Sequence, residues 1–381
     1  MSKQPQLPPR DEVLKEIEKK VGEKLLLYAY KLRKWFPIRR GIKEVLTRQP
    51  PRYVRAVDTI TFYIKQGETF CLVGESGCGK TTTGRTLIRL LEPTGGYVFY
   101  KARPETIKEV KEIQGNIYVK DGFIDLTTVH AKKFKPLRKE LQIIFQDPYG
   151  SLNPRFKIKD ILEEPLIVHG LGGSMEEREK MVLKALEDVK LTPPEEFAYR
   201  YPHMLSGGQR QRIGIARAVI LNPRFIVADE PVSMLDVSIR AEILELMNEL
   251  KRKYGLTYLF ITHDLAVARY ICDRIAVMYL GKIVEIASSD ELIDNPLHPY
   301  TRALIAAVPE PDPELRHKFK EVPIKGEIPS AAAIPPGCRF HPRCVALDQH
   351  PELRDQCTRV EPDLIEYEKE HYVACWLYRR G

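Results

Sequence analysis

Phe70-Cys71-Leu72-Val73, then Gly74-Glu75-Ser76-Gly77-Cys78-Gly79-Lys80-Thr81, then TTTGRTLIRLL from Thr81 to Leu91, decide how this chain folds. A short apolar run of strand length passes through a glycine-rich turn into a stretch with apolar residues at helical spacing. The turn fits G-x-x-x-x-G-K-S/T, whose glycines let backbone N–H groups turn inward around phosphate oxygens at the positive end of the following helix. In that pattern Lys80 reaches the β- and γ-phosphates of a nucleotide, Thr81 ligates Mg²⁺, and Glu75, Ser76, Cys78 and Thr82 complete the loop. The expected ligand is therefore a nucleotide whose phosphates are held with Mg²⁺.

Downstream, FIVADE (225–230) is a second continuous apolar strand, here ending in two carboxylates. Asp229 at the strand's end suits the Mg²⁺ shell, and Glu230 suits a base for in-line attack on the γ-phosphate. Tyr258 to Ile261 is a third such strand, ending at Thr262-His263. Apolar strands separated by helical segments indicate a parallel sheet covered on both faces.

Around this core, residues 1–24 read as a charged, helix-prone, solvated lead-in. Leu25–Leu32 and the alternating Ala56–Ile64 read as strands, with a basic loop over Arg33–Arg52 and a surface hairpin insertion over Lys101–Asp125. KDILEEPLIVH and EEREKMVLKALEDV carry amphipathic helical patterns, which makes residues 148–208 a helical subdomain, followed by a helix over Gln209–Leu221. Pro and charge content rise after Pro309, so the division expected is 1–24, a nucleotide-binding domain over 25–308, and a C-terminal region over 309–381.

Leu205-Ser206-Gly207-Gly208-Gln209 precedes a helix and offers a second anion site that this chain's own phosphate loop does not need. With this stretch the sequence resembles the ABC ATPase family, whose signature motif is LSGGQ. In the family's order, GESGCGKT is similar to Walker A, Gln146 in IFQDP to the Q-loop, FIVADE to Walker B, Ser233–Asp236 to the D-loop and His263 to the switch histidine. The resemblance implies an α/β P-loop fold with a parallel core sheet, an antiparallel β-subdomain and a helical subdomain. It implies two cassettes closing head to tail, with ATP between one P-loop and the partner's Ser206, Gly207, Gly208 and Gln209. Catalysis would fall to Glu230, His263 and Gln146, and Mg²⁺ to Thr81, Gln146 and Asp229. Phe36 would stack on adenine, with Tyr53 as second choice.

IFQDPYGSLNPR, NPLHPYTRALIAAVP and GEIPSAAAIPPGCRFHPRC resemble oligopeptide/dipeptide importer ATPases, and QDPYGSLNP with EEPL resembles the second ATPase of their heterodimeric pair. That resemblance implies a paralogous ATPase, two permeases and an extracytoplasmic substrate-binding protein as partners, at the cytoplasmic face of the membrane. Relatives of this branch also carry oligosaccharides. A non-transport ABC ATPase is disfavoured by the ordinary spacing of Thr81 and Ser206 and by the single cassette.

The chain's 381 residues with 43% hydrophobic content can bury a substantial core, and Lys+Arg 60 against Asp+Glu 52 is too mild an excess for a nucleic-acid stripe. The N-terminus lacks the apolar stretch of a secretory signal, and no apolar run reaches membrane length. The expected compartment is thus the cytoplasm, where disulfides are not expected. Four of seven cysteines, Cys338, Cys344, Cys357 and Cys375, crowd the last stretch. A small polar segment needs a staple, and four thiolates supply one through a metal. Cys₄ ligation suits an iron–sulfur cluster, and the branch resemblance implies [4Fe-4S]; Zn²⁺ and free thiols stay open as alternatives.

Overall fold

The computed structural model describes residues 7–40, 47, 50–308 and 322–379. The expected boundary at Pro309, the first six residues of the lead-in and part of the Arg33–Arg52 loop lie outside the described residues.

Helix α1 (Arg10–Val21) opens the chain and corrects the reading of a solvated lead-in. Val13, Leu14 and Ile17 recur at helical spacing and are buried against Leu25, Tyr28, Tyr63, Phe99 and Phe123. Each such burial is worth roughly 1.5–3 kcal/mol, enough to dock a helix too short to persist alone.

Strands β1 (Leu25–Pro37), β2 (Tyr53–Lys65), β4 (Gly95–Lys101), β5 (Val119–Lys120) and β6 (Phe123–Asp125) form an antiparallel sheet in the order β2-β1-β4-β6-β5. Strand β1 is longer than expected and takes the start of the basic loop into the sheet. The Lys101–Asp125 insertion holds helix α2 (Pro104–Ile113) before its hairpin. Strand β6 of that hairpin pairs with β4, so the insertion extends the sheet rather than standing on its surface.

The main sheet takes β3 (Thr69–Val73), β7 (Leu141–Ile144), β8 (Phe225–Asp229), β9 (Thr257–Thr262) and β10 (Arg274–Tyr279) in parallel, ordered β10-β3-β9-β8-β7. Alternate residues of each strand enter different cores. Phe70, Leu72, Leu259 and Ile261 face one, while Cys71, Val73, Tyr258 and Phe260 face the other. Burial on both faces is why these strands read as continuous apolar runs instead of alternating ones.

Helix α3 (Lys80–Leu87) follows β3. Helices α4 (Ile158–His169) and α5 (Met175–Asp188) form the helical layer; Ile158, Ile161, Leu162 and Leu166 bury one face of α4. Ser174 Oγ accepts from the Glu177 N–H at 3.1 Å while Glu177 Oε2 accepts from Ser174 N–H at 3.4 Å, a reciprocal cap that fixes the start of α5. Helices α6 (Gly207–Val219), α7 (Val237–Tyr254) and α8 (Leu265–Ile271) connect the later strands.

The C-terminal region is not a separate appendage. Strand β11 (Lys282–Ser288) pairs with β10, and strands β12 (Ile365–Glu368) and β13 (His371–Val373) continue the same sheet to eight strands. Cys71 on β3 and Cys272 after α8 form a disulfide with Cα atoms 5.8 Å apart, where the sequence reading expects no disulfide.

Helices α9 (Ser289–Asp294) and α10 (Pro299–Ala306) follow β11. His298 caps α10: its Nδ1 accepts from Tyr300 N–H at 3.0 Å, and its own N–H donates to Glu285 Oε2 at 2.9 Å. Burial lowers the His298 pKa from 6.5 to about 4. The unfolded chain therefore takes up a proton that the folded one refuses. The stabilisation is complete above pH 6.5 and lost as pH falls toward about 4. The loss reaches roughly 3 kcal/mol. Thermal midpoints measured across that window should fall less steeply for His298→Asn, which keeps a cap acceptor but does not titrate; an unchanged slope refutes the assignment.

Candidate active site

Parallel register lines up the carboxyl ends of four strands. Val73 of β3 pairs with Thr262 of β9, Ile261 of β9 with Asp229 of β8, and Ala228 of β8 with Ile144 of β7. The residues just beyond these ends are the Gly74–Gly79 turn, His263, Glu230 and Gln146. Sequence positions far apart thus arrive at one sheet edge, where open α/β sheets bind ligands.

The turn is tight because its glycines allow it. Gly74 has φ 147° and Gly79 φ 110°, and a Cβ there would stand 2.2 Å from the Met278 carbonyl oxygen and 2.0 Å from that of Ala56. Lys80 Nζ donates to the carbonyls of Gly74 and Glu75 at 2.6 and 3.0 Å, so the ammonium is curled into the loop.

Thr81 Oγ1 donates to Asp229 Oδ1 at 2.7 Å, and the Arg85 guanidinium lies 3.4 Å from Asp229 Oδ2. Burial pushes the Asp229 carboxyl up, while Thr81 and Arg85 pull against it. Glu230 holds a left-handed φ of 48°, a costly conformation of the kind that gathers at functional sites. Gln146 Nε2 donates to Glu230 Oε2 at 2.9 Å, and His263 Nδ1 lies 3.3 Å from Glu230 Oε1. A cavity of about 660 Å³ is lined by Gly74 to Gly77, Gly79 to Thr82, Gln146, Glu230 and His263. Hydroxyl, carboxylate and amide oxygens here form the hard-oxygen donor set that Mg²⁺ prefers.

Neither aromatic expected at the base lines this cavity. Phe36 has the Lys34 ammonium 4.9 Å from its ring, and Tyr53 packs on Trp35 with centroids 6.0 Å apart. Ser206, Gly207, Gly208 and Gln209 are also outside it. Ser206 Oγ accepts from Gln209 N–H at 3.3 Å and Gln209 Oε1 accepts from Ser206 N–H at 3.0 Å, which caps α6. A side chain at Gly208 would come within 2.6 Å of Ile239. Asp236 stands at the start of α7. Next to it, Met234 and Val237 are 57% and 79% exposed, an apolar surface without cover from this chain.

Sequence reading missed the contribution of the C-terminal region. Glu75 N–H donates to Tyr300 Oη at 2.9 Å, and the Arg343 fork donates to both Glu75 carboxylate oxygens at 2.8 and 3.2 Å. Tyr279, Tyr300 and Phe340 pack behind this contact with ring centroids 4.7 to 5.4 Å apart. Leu304 and Ile328 join the cavity wall. Tyr300 and Arg343 lie in the branch-specific stretches NPLHPYTRALIAAVP and FHPRC, and that placement was the available signal.

Cys338, Cys344, Cys357 and Cys375 come together from four separate points and line one small cavity of about 20 Å³ with His341 and Leu347. Cys338 N–H donates to the Cys357 carbonyl at 2.8 Å. Burial pushes all four thiols up, Cys357 to about 11 and Cys375 to about 12. Among the described residues no three of these sulfurs lie within 4.8 Å of one another.

Residues 57–233 match the family described as ABC transporter, and residues 284–350 match the oligopeptide/dipeptide transporter C-terminal region. The putative oligopeptide transport ATP-binding protein YkfD of Bacillus subtilis is 48% identical, over 87% of this chain and 92% of its own length. The oligopeptide transport ATP-binding protein AppF of the same organism is 45% identical, over 94% and 98% respectively. The ATP-binding cassette MJ0796, solved as a dimer in a post-hydrolysis state with ADP and Pi, superposes with a TM-score of 0.55 at 29% identity, over 69% of this chain and 99% of that one. With the Walker-type edge and the C-terminal region both matched, the chain belongs to the ABC transporter ATP-binding proteins, in the branch that carries the oligopeptide/dipeptide transporter C-terminal region.

Proposed function

We propose that this chain hydrolyses ATP to energise import of di- and oligopeptides through membrane partners. The observation that carries the hydrolytic reading is the convergence of Thr81, Asp229, Gln146, Glu230 and His263 on the glycine-rich loop. The peptide cargo rests on the relatives' names and on the C-terminal match. Among the described residues no helix is long and apolar enough to cross a membrane, which fits a subunit held at the cytoplasmic face by two permeases. A substrate-binding protein on the far side would complete the importer.

In the proposed mechanism the loop N–H groups and Lys80 hold the phosphates. Thr81, Asp229 and Gln146 would hold Mg²⁺, which when bound would supply charge neutralisation at the phosphate oxygens. Glu230 orients a water and takes its proton; Gln146 and His263, both already in contact with Glu230, fix its carboxylate and contact the γ-phosphate side. Glu230→Gln should leave ATP binding intact and slow hydrolysis by roughly 10²–10⁴. Single-turnover hydrolysis at the wild-type rate would remove Glu230 from the mechanism.

A second ATPase, a paralogue of this chain, would supply the other half of each site. Support comes from the position of Ser206–Gln209 outside this chain's own cavity and from the exposed Met234 and Val237 beside Asp236. In the assembled complex, Ser206→Ala here should impair turnover of nucleotide bound to the partner's loop, and Lys80→Ala that bound to its own. Photo-crosslinked nucleotide analysed chain by chain separates the two; a Ser206→Ala defect confined to this chain's nucleotide contradicts the head-to-tail arrangement.

The four C-terminal thiols are proposed to hold a [4Fe-4S] cluster as a structural clamp. Their shared cavity supports a metal group. The cluster would supply crosslinking rather than redox chemistry, its bonds to the chain adding to folding free energy. Protein prepared without air should contain iron and sulfide in equal amounts, and serine at any of the four positions should abolish both and lower the thermal midpoint. Stoichiometric zinc without iron would exclude the cluster, and freely alkylated native thiols without metal would exclude the clamp.

A further inference from the structure

Away from the nucleotide edge, three residues from three elements converge on one point. The β12–β13 hairpin places Glu368 directly opposite His371, and Glu291 comes from α9. One ligand atom from each of Glu291, Glu368 and His371 lies within 4.8 Å of the other two. His371 is 1% exposed, and its Nδ1 is buried with no hydrogen-bond partner. That nitrogen lies 3.8 Å from Glu291 Oε1, too far for a hydrogen bond. Its other ring nitrogen, Nε2, is 2.8 Å from Glu285 Oε1, a carboxylate fully buried in β11.

We propose that Glu291, Glu368 and His371 form a binding site for a divalent transition cation, Zn²⁺ being the best match. In the tautomer that donates Nε2–H to Glu285, Nδ1 carries the lone pair that a metal ligand needs, on the side of the two carboxylates. A carboxylate behind a ligating histidine is the usual means of fixing its tautomer and raising its basicity. One imidazole and two carboxylates suit Zn²⁺, which takes nitrogen and oxygen donors and fills the remaining position with water. Access exists through an adjoining cavity of about 600 Å³ that all three ligands line. Of the cations lining this cavity, Lys65 pairs with Glu370 at 2.8 Å and Arg274 with Glu68 at 2.6 Å, while Lys24 and Lys369 also line it. Among the described residues neither Glu291 nor Glu368 forms an ion pair with a lysine or arginine.

A cation here would bind the hairpin at the end of the chain to α9, closing the sheet edge that begins at β11. The site is separate from the four cysteines, and its ligands include no sulfur.

The test is a Zn²⁺ titration by calorimetry of the nucleotide-free, chelator-treated full chain, comparing wild type with Glu368→Gln, Glu291→Gln and His371→Gln. Since the cysteines are unchanged, any zinc they take is common to all four proteins. Each variant should lose one equivalent of Zn²⁺, or bind it at least roughly 10–100-fold more weakly, the loss that disturbing even an outer partner of a metal site brings. Zn²⁺ should also raise the thermal midpoint of wild type more than that of Glu368→Gln. His371 is buried and its replacement can disrupt folding, so the exposed Glu368 decides. Identical stoichiometry and affinity in wild type and Glu368→Gln, with no difference in thermal response, overturns the proposal.

Discussion

The parallel register of β3, β9, β8 and β7 is the constraint on which the rest depends. A shift of one residue between any two of these strands would exchange their core faces, because Phe70 and Leu72 enter one core and Cys71 and Val73 the other. Both faces are apolar and filled, so the register is held from two sides at once. That double burial is what delivers Thr81 to within 2.7 Å of Asp229 and Gln146 to within 2.9 Å of Glu230 from positions far apart in the chain. The catalytic edge inherits its accuracy from hydrophobic packing that contains none of Thr81, Gln146, Asp229, Glu230 and His263.

The second determinant is the reach of the C-terminal region back to that edge. Arg339 donates to Asp58 and to the Leu280 carbonyl, and its Nε donates to Glu361 at 2.7 Å. Breaking a pair as buried as Arg339–Asp58 typically costs roughly 3–5 kcal/mol, since a charge is left without its partner. Arg343, in the same short segment, grips Glu75 of the phosphate loop, and it immediately precedes Cys344. The cysteine-lined cavity and the nucleotide cavity are therefore joined through one residue step and one bidentate ion pair. An element that looked like an accessory in the sequence is part of the wall behind the phosphate site.

Legibility in the sequence followed locality. The glycine-rich turn was readable because its conformational demand is met by residues next to one another: a strand before, Gly74 and Gly79 within, a helix after. FIVADE was readable for the same reason, a continuous apolar strand with its carboxylates at the exit. Helices α4 and α5 announced themselves through apolar periodicity, and the caps that the structure shows at Ser174 and Ser206 are closed within three residues. The lead-in was misread because Val13, Leu14 and Ile17 have value only against Tyr28, Tyr63, Phe99 and Phe123, which the sequence does not place beside them.

By itself, then, the sequence determined the chemistry: a phosphate loop, a carboxylate pair and a histidine at the ends of buried strands, a glutamine marked by family resemblance, and four thiols in one polar stretch. Apart from the thiols, which are spread from Cys338 to Cys375, each of these is a property of residue type within a few positions. The tertiary structure alone decided which of them meet. It brought Tyr300 and Arg343 to Glu75, left Phe36 and Tyr53 off the cavity wall, joined Cys71 to Cys272, and set His371 between Glu285 and Glu291. These are contacts across long stretches of chain, fixed by sheet register and core packing, and no local pattern of charge or hydropathy encodes them.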